Sequence, residues 1–278
     1  MFEGRKLLIA TKHHKEKVIA PILEKELGVQ CILPSDFDTD QLGTFTGEIE
    51  REEDALLTVK KKCMLAMSKE NVNMALASEG SFGPHPTIPF AHADDEIIYF
   101  VDRSQDLEIF VRVLTPETNF NAMPISSLAE LKEFARKAGF PDHALILKKS
   151  KEDLTGMVKG IQDGKILMDT YEGLLNEFGS AYVETDMRAM FNPTRMKVIE
   201  QATHKLIQKI NSTCDACQTP GFGITAVKEG LPCSLCGRPT ASILSYVYEC
   251  QKCSHTKEVQ FPNQKEHEDP MYCDFCNP

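Results

Sequence analysis

The sequence predicts an α/β protein in two parts: a mixed central sheet flanked by helices over residues 1–210, and a small β-rich domain over residues 211–278. Two observations carry this. Short apolar runs of strand length are interleaved with stretches of helical spacing along the first part, as a layered α/β domain requires. Eight of the ten cysteines then fall in the last quarter of the chain, in four Cys-x-x-Cys pairs. A chain of 278 residues can form one sizeable domain plus a small one, and the cysteine-rich tail is too short to bury a large core. The boundary is expected at Ile210-Asn-Ser-Thr-Cys214, where helical spacing gives way to turn formers.

Residues 6–11 form an apolar run suited to a buried strand, residues 16–27 have helical spacing ended by Gly28, and Cys31-Ile-Leu continues as strand. After a polar loop at 36–47, residues 48–67 read as a helix with acids first and lysines later, an order that suits the helix dipole. A buried strand from Met74 then delivers Glu79 into a loop rich in Gly and Pro. Residues 96–102 and 107–114 form a hairpin. Ser127 and Glu130 open a helix with a capping box that runs to Ala138. Residues 144–148 are a strand, 154–164 a helix or irregular segment, and 182–191 a strand leading to Asn192-Pro-Thr-Arg195. A long helix over 195–210 follows, entered through Pro193.

The strongest chemical signal is the set Cys214/Cys217, Cys233/Cys236, Cys250/Cys253 and Cys273/Cys276. Each pair offers two thiolates from one tight turn, and tetrahedral zinc takes two pairs, so eight sulfurs match two ions. The tail is therefore expected to be a zinc-ribbon domain with two four-cysteine zinc sites. Disulfides of an exported module are the alternative. Against them, only four apolar residues follow Met-Phe-Glu-Gly-Arg-Lys and no stretch is long enough to span a membrane, so a cytoplasmic chain with reduced thiols and no membrane partner is expected. Four sulfurs close the shell of each ion, which makes the zinc structural. The segments between knuckles read as one strand each, so successive knuckles lie at opposite ends of a small sheet. That favours Cys214/Cys217 with Cys250/Cys253 and Cys233/Cys236 with Cys273/Cys276, over sequential pairing. The net charge is −10, and residues 211–278 hold five Lys/Arg against eight Asp/Glu, which argues against nucleic acid as the partner.

Three further constellations carry chemistry. Thr11-Lys-His-His-Lys-Glu-Lys17 joins a strand to a helix start, where free backbone N–H groups and cations suit phosphate; a solvated basic helix start is the plainer reading. Glu79 at a strand end is placed where open α/β sheets hold ligands, with an exposed loop acid as the alternative. Arg188, Asn192 and Arg195 surround a strand-to-helix junction, either for anion or base contacts or for capping and a surface ion pair. His85, between prolines, reads as structural rather than as an acid or base.

In this order, the pieces resemble the non-standard purine NTP pyrophosphatases, the inosine/xanthosine triphosphatase superfamily. Ala10-Thr-Lys-His-His-Lys-Glu-Lys17 is similar to that family's phosphate loop, with His13 where Asn is usual and Lys15 or Lys17 standing for its lysine. Thr46-Gly-Glu-Ile-Glu-Arg51 before Lys61-Lys-Cys63 looks like its metal-binding acid and helix, with Glu50 the first candidate and Glu48 the second. Ala77-Ser-Glu-Gly-Ser-Phe-Gly83 looks like its acidic Gly segment, and Asn192-Pro-Thr-Arg195 its base-recognising stretch. The ATKH, GSFGPHP and four-knuckle layout also resembles an uncharacterised bacterial family that brings no function.

The resemblance implies an inosine-triphosphatase-like fold and cleavage of a nucleoside triphosphate to monophosphate and pyrophosphate. Glu50 and Glu79, with Glu48, would hold Mg²⁺, and Lys15, Lys17, Thr11 and His13 would bind phosphate oxygens. Thr194 and Arg195 would face the base, supported by Asn192 and Arg188. A homodimer is also implied. The competing expectation is a non-catalytic protein that keeps the nucleotide pocket and meets a ligand or protein partner through its zinc tail.

Overall fold

In a computed structural model the chain is described over residues 1–11, 13–35 and 55–278. It divides into two compact units, Met1–Leu206 and Ile207–Pro278.

The first unit opens with β1 (Lys6–Ala10), α1 (Glu16–Leu27), β2 (Gln30–Ile32), α2 (Ala55–Glu70), β3 (Met74–Pro84), β4 (His92–Asp102) and β5 (Leu107–Thr115). Their sheet has the order β2-β1-β3-β4-β5. β1 is parallel to both β2 and β3, while β3, β4 and β5 form antiparallel pairs. Gly28 stops α1 in the left-handed conformation with its N–H on the Glu24 carbonyl, as the sequence signal required. One crossover from β1 leads to β2 on one side and the next leads to β3 on the other, so the carboxyl ends of β1 and β3 flank a topological switch point.

Strand alternation sorts the charges as well as the core. Val59, Cys63, Ala66 and Met67 of α2 pack on Leu8, Ala10, Ala75, Ala77, Ile97, Tyr99 and Val101. The intervening residues Leu7, Ile9, Leu76, Ile98 and Phe100 are buried on the opposite face.

The rest of this unit is β6 (Ala122–Ile125), α3 (Leu128–Ala138), β7 (Leu145–Lys148), β8 (Val158–Ile161), α4 (Gly164–Phe178), β9 (Ala181–Thr185) and α5 (Pro193–Asn211), whose end belongs to the second unit. A second sheet, β6-β9-β7-β8, buries Leu145, Leu147 and Val183 against Leu131 and Phe134 of α3 and Leu167, Tyr171 and Leu174 of α4. The Ser127 hydroxyl accepts from the Glu130 N–H and the Glu130 carboxylate accepts from the Ser126 N–H, closing the capping box.

The structure differs from the sequence reading in several places. The first unit has two sheets rather than one central sheet, because α3 and α4 need a separate apolar face. α4 was not anticipated, although Asp163 caps its first turn and Gly179 its last. Over residues 154–164, expected as a helix or irregular segment, the structure has turns and the short strand β8, and the strand from Ala181 ends at Thr185, before a short 3-10 turn at Ala189–Phe191. Finally, Glu79 does not stand in a loop: β3 stays paired with β4 from Met74↔Asp102 to Pro84↔His92.

That long pairing depends on Gly80. A Cβ there would lie 2.6 Å from Glu96 Cδ and 2.5 Å from Arg195 Nη2, whereas one at Gly83 meets nothing within 4 Å. Gly80→Ala is therefore expected to destabilise the first unit by about 2–3 kcal/mol through overpacking, and Gly83→Ala to shift it by less than ~1 kcal/mol, read by urea unfolding followed by circular dichroism. Equal effects would show that the close approach at Gly80 carries no energetic consequence.

The second unit contains one antiparallel sheet, β10 (Gly223–Glu229), β11 (Ile243–Glu249) and β12 (Thr256–Gln260), in that order.

Candidate functional site

In the second unit, strand register decides which cysteines meet. Gly223 pairs with Glu249, so the knuckle before β10 and the knuckle after β11 share one end of the sheet. The knuckles after β10 and after β12 gather elsewhere. The result is two clusters, Cys214, Cys217, Cys250, Cys253 and Cys233, Cys236, Cys273, Cys276, the interleaved arrangement. Each knuckle folds alike: the residue after its second cysteine donates its N–H to the carbonyl of the first, at 2.9 Å for Gln218, 2.9 Å for Gly237, 3.0 Å for Ser254 and 2.8 Å for Asn277. N–H groups of Ala216 and Leu235 point at the Cys214 and Cys233 sulfurs.

The clusters fit a tetrahedral ion. Zn–S bonds of 2.3 Å place sulfurs about 3.8 Å apart, and the observed separations are 3.7 Å (Cys214–Cys253), 3.5 Å (Cys217–Cys250), 3.8 Å (Cys233–Cys276) and 3.7 Å (Cys236–Cys273). A disulfide needs about 2.05 Å, and all ten cysteines are free. The thiols also disagree in acidity. The Cys236 backbone N–H helps lower Cys233 to about 7, while hydrogen bonding to the Cys236 sulfur pushes Cys276 up to about 12. Four sulfurs this close cannot all ionise unless a cation replaces the shared protons, as zinc does on binding.

In the first unit a buried group of charges collects near the switch point. β1 makes its last β3 contact at Ala10↔Ala77, and β3 runs on from Ser78 to Pro84. Into that step turns the β1–α1 loop, where His13 and His14 adopt φ of 69° and 61°. Such consecutive left-handed residues are costly outside glycine. Here they bring Lys15 inward, 5% exposed, with Nζ donating to Ser78 Oγ at 3.0 Å. On the α2 face, Lys62 donates to Glu79 Oε2, both buried. On the Ser78 face, Arg195 gives Nε to Glu96 Oε1 at 2.5 Å and Nη1 to the Met187 carbonyl at 2.5 Å, and its guanidinium lies 5.1 Å from the Phe82 ring centre. Burial and the neighbouring Arg195 lower Lys15 to about 8, and burial and Glu96 push the Asp94 carboxyl up to about 8.

The structure thus brings Lys15, Glu79 and Arg195 into one electrostatic group, and adds Lys62, Ser78, Asp94 and Glu96, which sequence reasoning passed over. The missed signal was Asp94-Asp-Glu96 at the start of a strongly apolar strand, where alternation buries the first and third acids. Thr11 and His13 are half-buried in the same loop. Lys17 lies on another wall, with His14, Met190, Met196 and Lys197 around a cavity of about 360 Å³.

The stretch read as base-recognising is otherwise engaged. Thr194 Oγ1 meets His143 Nε2 at 2.9 Å, and Asn192 Oδ1 accepts from the Arg195 N–H at 3.0 Å, capping α5. Arg188 pairs with Asp186 and lies over Phe191. Arg195 is wholly buried and braces the sheet through Glu96 and the Met187 carbonyl. His85 Nδ1 accepts from the Thr87 and Ile88 N–H groups, a turn-forming role. Glu48 and Glu50 lie outside the described residues.

No described helix is long and apolar enough to cross a membrane. Two zinc ions per chain are expected by metal analysis of the purified protein. Cys250→Ser or Cys273→Ser should each reduce the content to about one tightly held ion, since either change opens one closed shell. Full retention in both variants would remove the four-cysteine sites.

A search of curated proteins returned no match. A family model described as a domain of unknown function, DUF6671, matches residues 62–278, a span that holds Lys62, Glu79, Asp94, Glu96, Arg195 and all eight knuckle cysteines. The chain, matched over more than three quarters of its length, belongs to the DUF6671 family.

Proposed function

We propose that the first unit binds a nucleoside triphosphate at the carboxyl ends of β1 and β3 and hydrolyses it to the monophosphate and pyrophosphate, while the cysteine clusters hold two structural zinc ions. The observation that supports this reading best is the convergence of buried Lys15 and Lys62 with Ser78, Glu79 and Gly80 at the switch point. Cations withheld from water interact strongly with phosphate oxygens, since the low local dielectric magnifies charge attraction. A cavity lined by His14, Lys17, Lys197 and Glu200 together with Val18, Met190 and Met196 adds cations and apolar surface, a lining that could take a ligand with an anionic part and an apolar part.

In this reading Lys15 neutralises a phosphate oxygen and Ser78 keeps its amine in place. Glu79 accepts the proton of the attacking water once Lys62 has moved toward phosphate. Mg²⁺, as the resemblance implies, would neutralise the triphosphate; but Glu79 Oε2 is taken by Lys62, which fits a base held ready better than a metal ligand.

The same ion pair favours the second reading, a non-catalytic binding protein, because it neutralises the acid at rest. Pyrophosphate release from a panel of NTPs including ITP and XTP, with Mg²⁺ and without added divalent metal, separates the two. Metal-dependent release is expected, falling by about 10²-fold or more in Glu79→Gln if Glu79 is the base. No release from any NTP would leave the binding reading, and release unchanged by Glu79→Gln would move the chemistry elsewhere.

A further inference from the structure

On the Ser78 face of the first sheet, Asp94 and Glu96 are neighbours two residues apart on β4, and both are fully buried. Lys62 and Glu79 satisfy each other, and Arg195 takes Glu96 Oε1. Three carboxylate oxygens remain. Among the described residues, neither Asp94 Oδ1 nor Oδ2 has a hydrogen-bond partner, and neither has Glu96 Oε2.

Buried carboxylate oxygens without donors are costly, and native interiors resolve them with a proton, a water or a cation. A single proton held between Asp94 and Glu96 Oε2 serves two of the three oxygens at most. A divalent ion satisfies all three, and hard divalent cations take carboxylate oxygens by preference. Lys15, close enough to Asp94 to act on its charge, commits one of its three N–H donors to Ser78 and sits on the same face. A phosphate oxygen taken by Lys15 would stand beside such an ion, completing a coordination shell that two side chains leave open.

We propose that Asp94 and Glu96 form a divalent-cation site of the Mg²⁺ class, one that takes its remaining ligands from a phosphate held by Lys15. The phosphate rests on the nucleotide reading; the cation site itself does not. Glu79, on the opposite face and paired with Lys62, is not part of this site.

The test uses the zinc-loaded full chain, so that the cysteine clusters are already filled, with Mn²⁺ as the probe and electron paramagnetic resonance counting free Mn²⁺, in the presence of pyrophosphate. Wild type is expected to bind one Mn²⁺, Asp94→Asn at least tenfold more weakly, and Asp95→Asn, whose side chain pairs with Arg112 instead, within threefold of wild type. Absence of Mn²⁺ binding in wild type, or Asp94→Asn within threefold of it, overturns the site. If Asp94→Asn fails to fold, Fe²⁺ with ascorbate and peroxide on the wild-type chain reads the same question. Backbone cleavage between Ala93 and Ile97, mapped by mass spectrometry, supports the site, and its absence overturns it. Turnover is a separate readout. Mn²⁺ held through Asp94 with no NTP cleavage would sink the pyrophosphatase reading alone, and NTP cleavage with no Mn²⁺ at Asp94 would sink this one alone.

Discussion

The first unit depends on a salt bridge that should be hard to make. Glu96 and Arg195 are both fully buried, and taking two charges out of water costs several kcal/mol per ion before their attraction returns anything. Geometry makes the exchange workable. The planar guanidinium serves the Glu96 carboxylate and the Met187 carbonyl at once, with Phe82 close to the guanidinium. The cost reappears as constraints on other residues. Gly80 must lack a side chain, and Asn192 must cap α5 so that the backbone presents Arg195 at the right height. Asn192 also donates to Asn119 in the β5–β6 connection, so the same junction joins the first sheet to the start of the second.

This explains which parts of the unit were legible in the sequence. Signals confined to a few neighbouring residues read correctly: Gly28 after α1, Ser127 and Glu130 before α3, and the turn between β4 and β5. α4 carried comparable signals in Asp163 and Gly179, but Gly164 and Gly173 and a scattered polar face diluted its apolar repeat. The buried ionic group could not be read locally. Glu96 and Arg195 are 99 residues apart and Lys15 and Ser78 are 63 apart, so neither pairing was visible until the topology was known. Arg195 drew attention as a residue facing a ligand, and its reach into the sheet was invisible in Asn-Pro-Thr-Arg.

The second unit was legible for the opposite reason. Its information lies in the spacing of one residue type, and alternation of strand direction then fixes which knuckles can meet. Its outer strands β10 and β12 are largely exposed, β11 is half-buried, and a buried apolar cluster is formed by Phe222 with Cys214 and Cys250, supported by Tyr248. So small a core cannot offset the entropy of ordering the segment, and small domains with this deficit use metal cross-links instead. Ions held by the two clusters would act as the core, which would make the four-sulfur shells a folding device with no open position for chemistry at either cluster.

Both units thus solve one electrostatic problem, the neutralisation of negative groups withdrawn from water. Thiolates in the second unit are arranged around the place of a dication. In the first, Asp102 has Arg5, Glu79 has Lys62 and Glu96 has Arg195. Asp94 breaks the pattern: it is fully buried and neither oxygen has a donor among the described residues, although Lys15 is near enough to influence its charge. Had the only requirement been stability, a Lys15 amine directed at Asp94 instead of Ser78 would have closed that pair. Keeping the two apart leaves an anion acceptor and a cation acceptor side by side, an arrangement that is poor for an empty interior and well matched to a metal-bound phosphate.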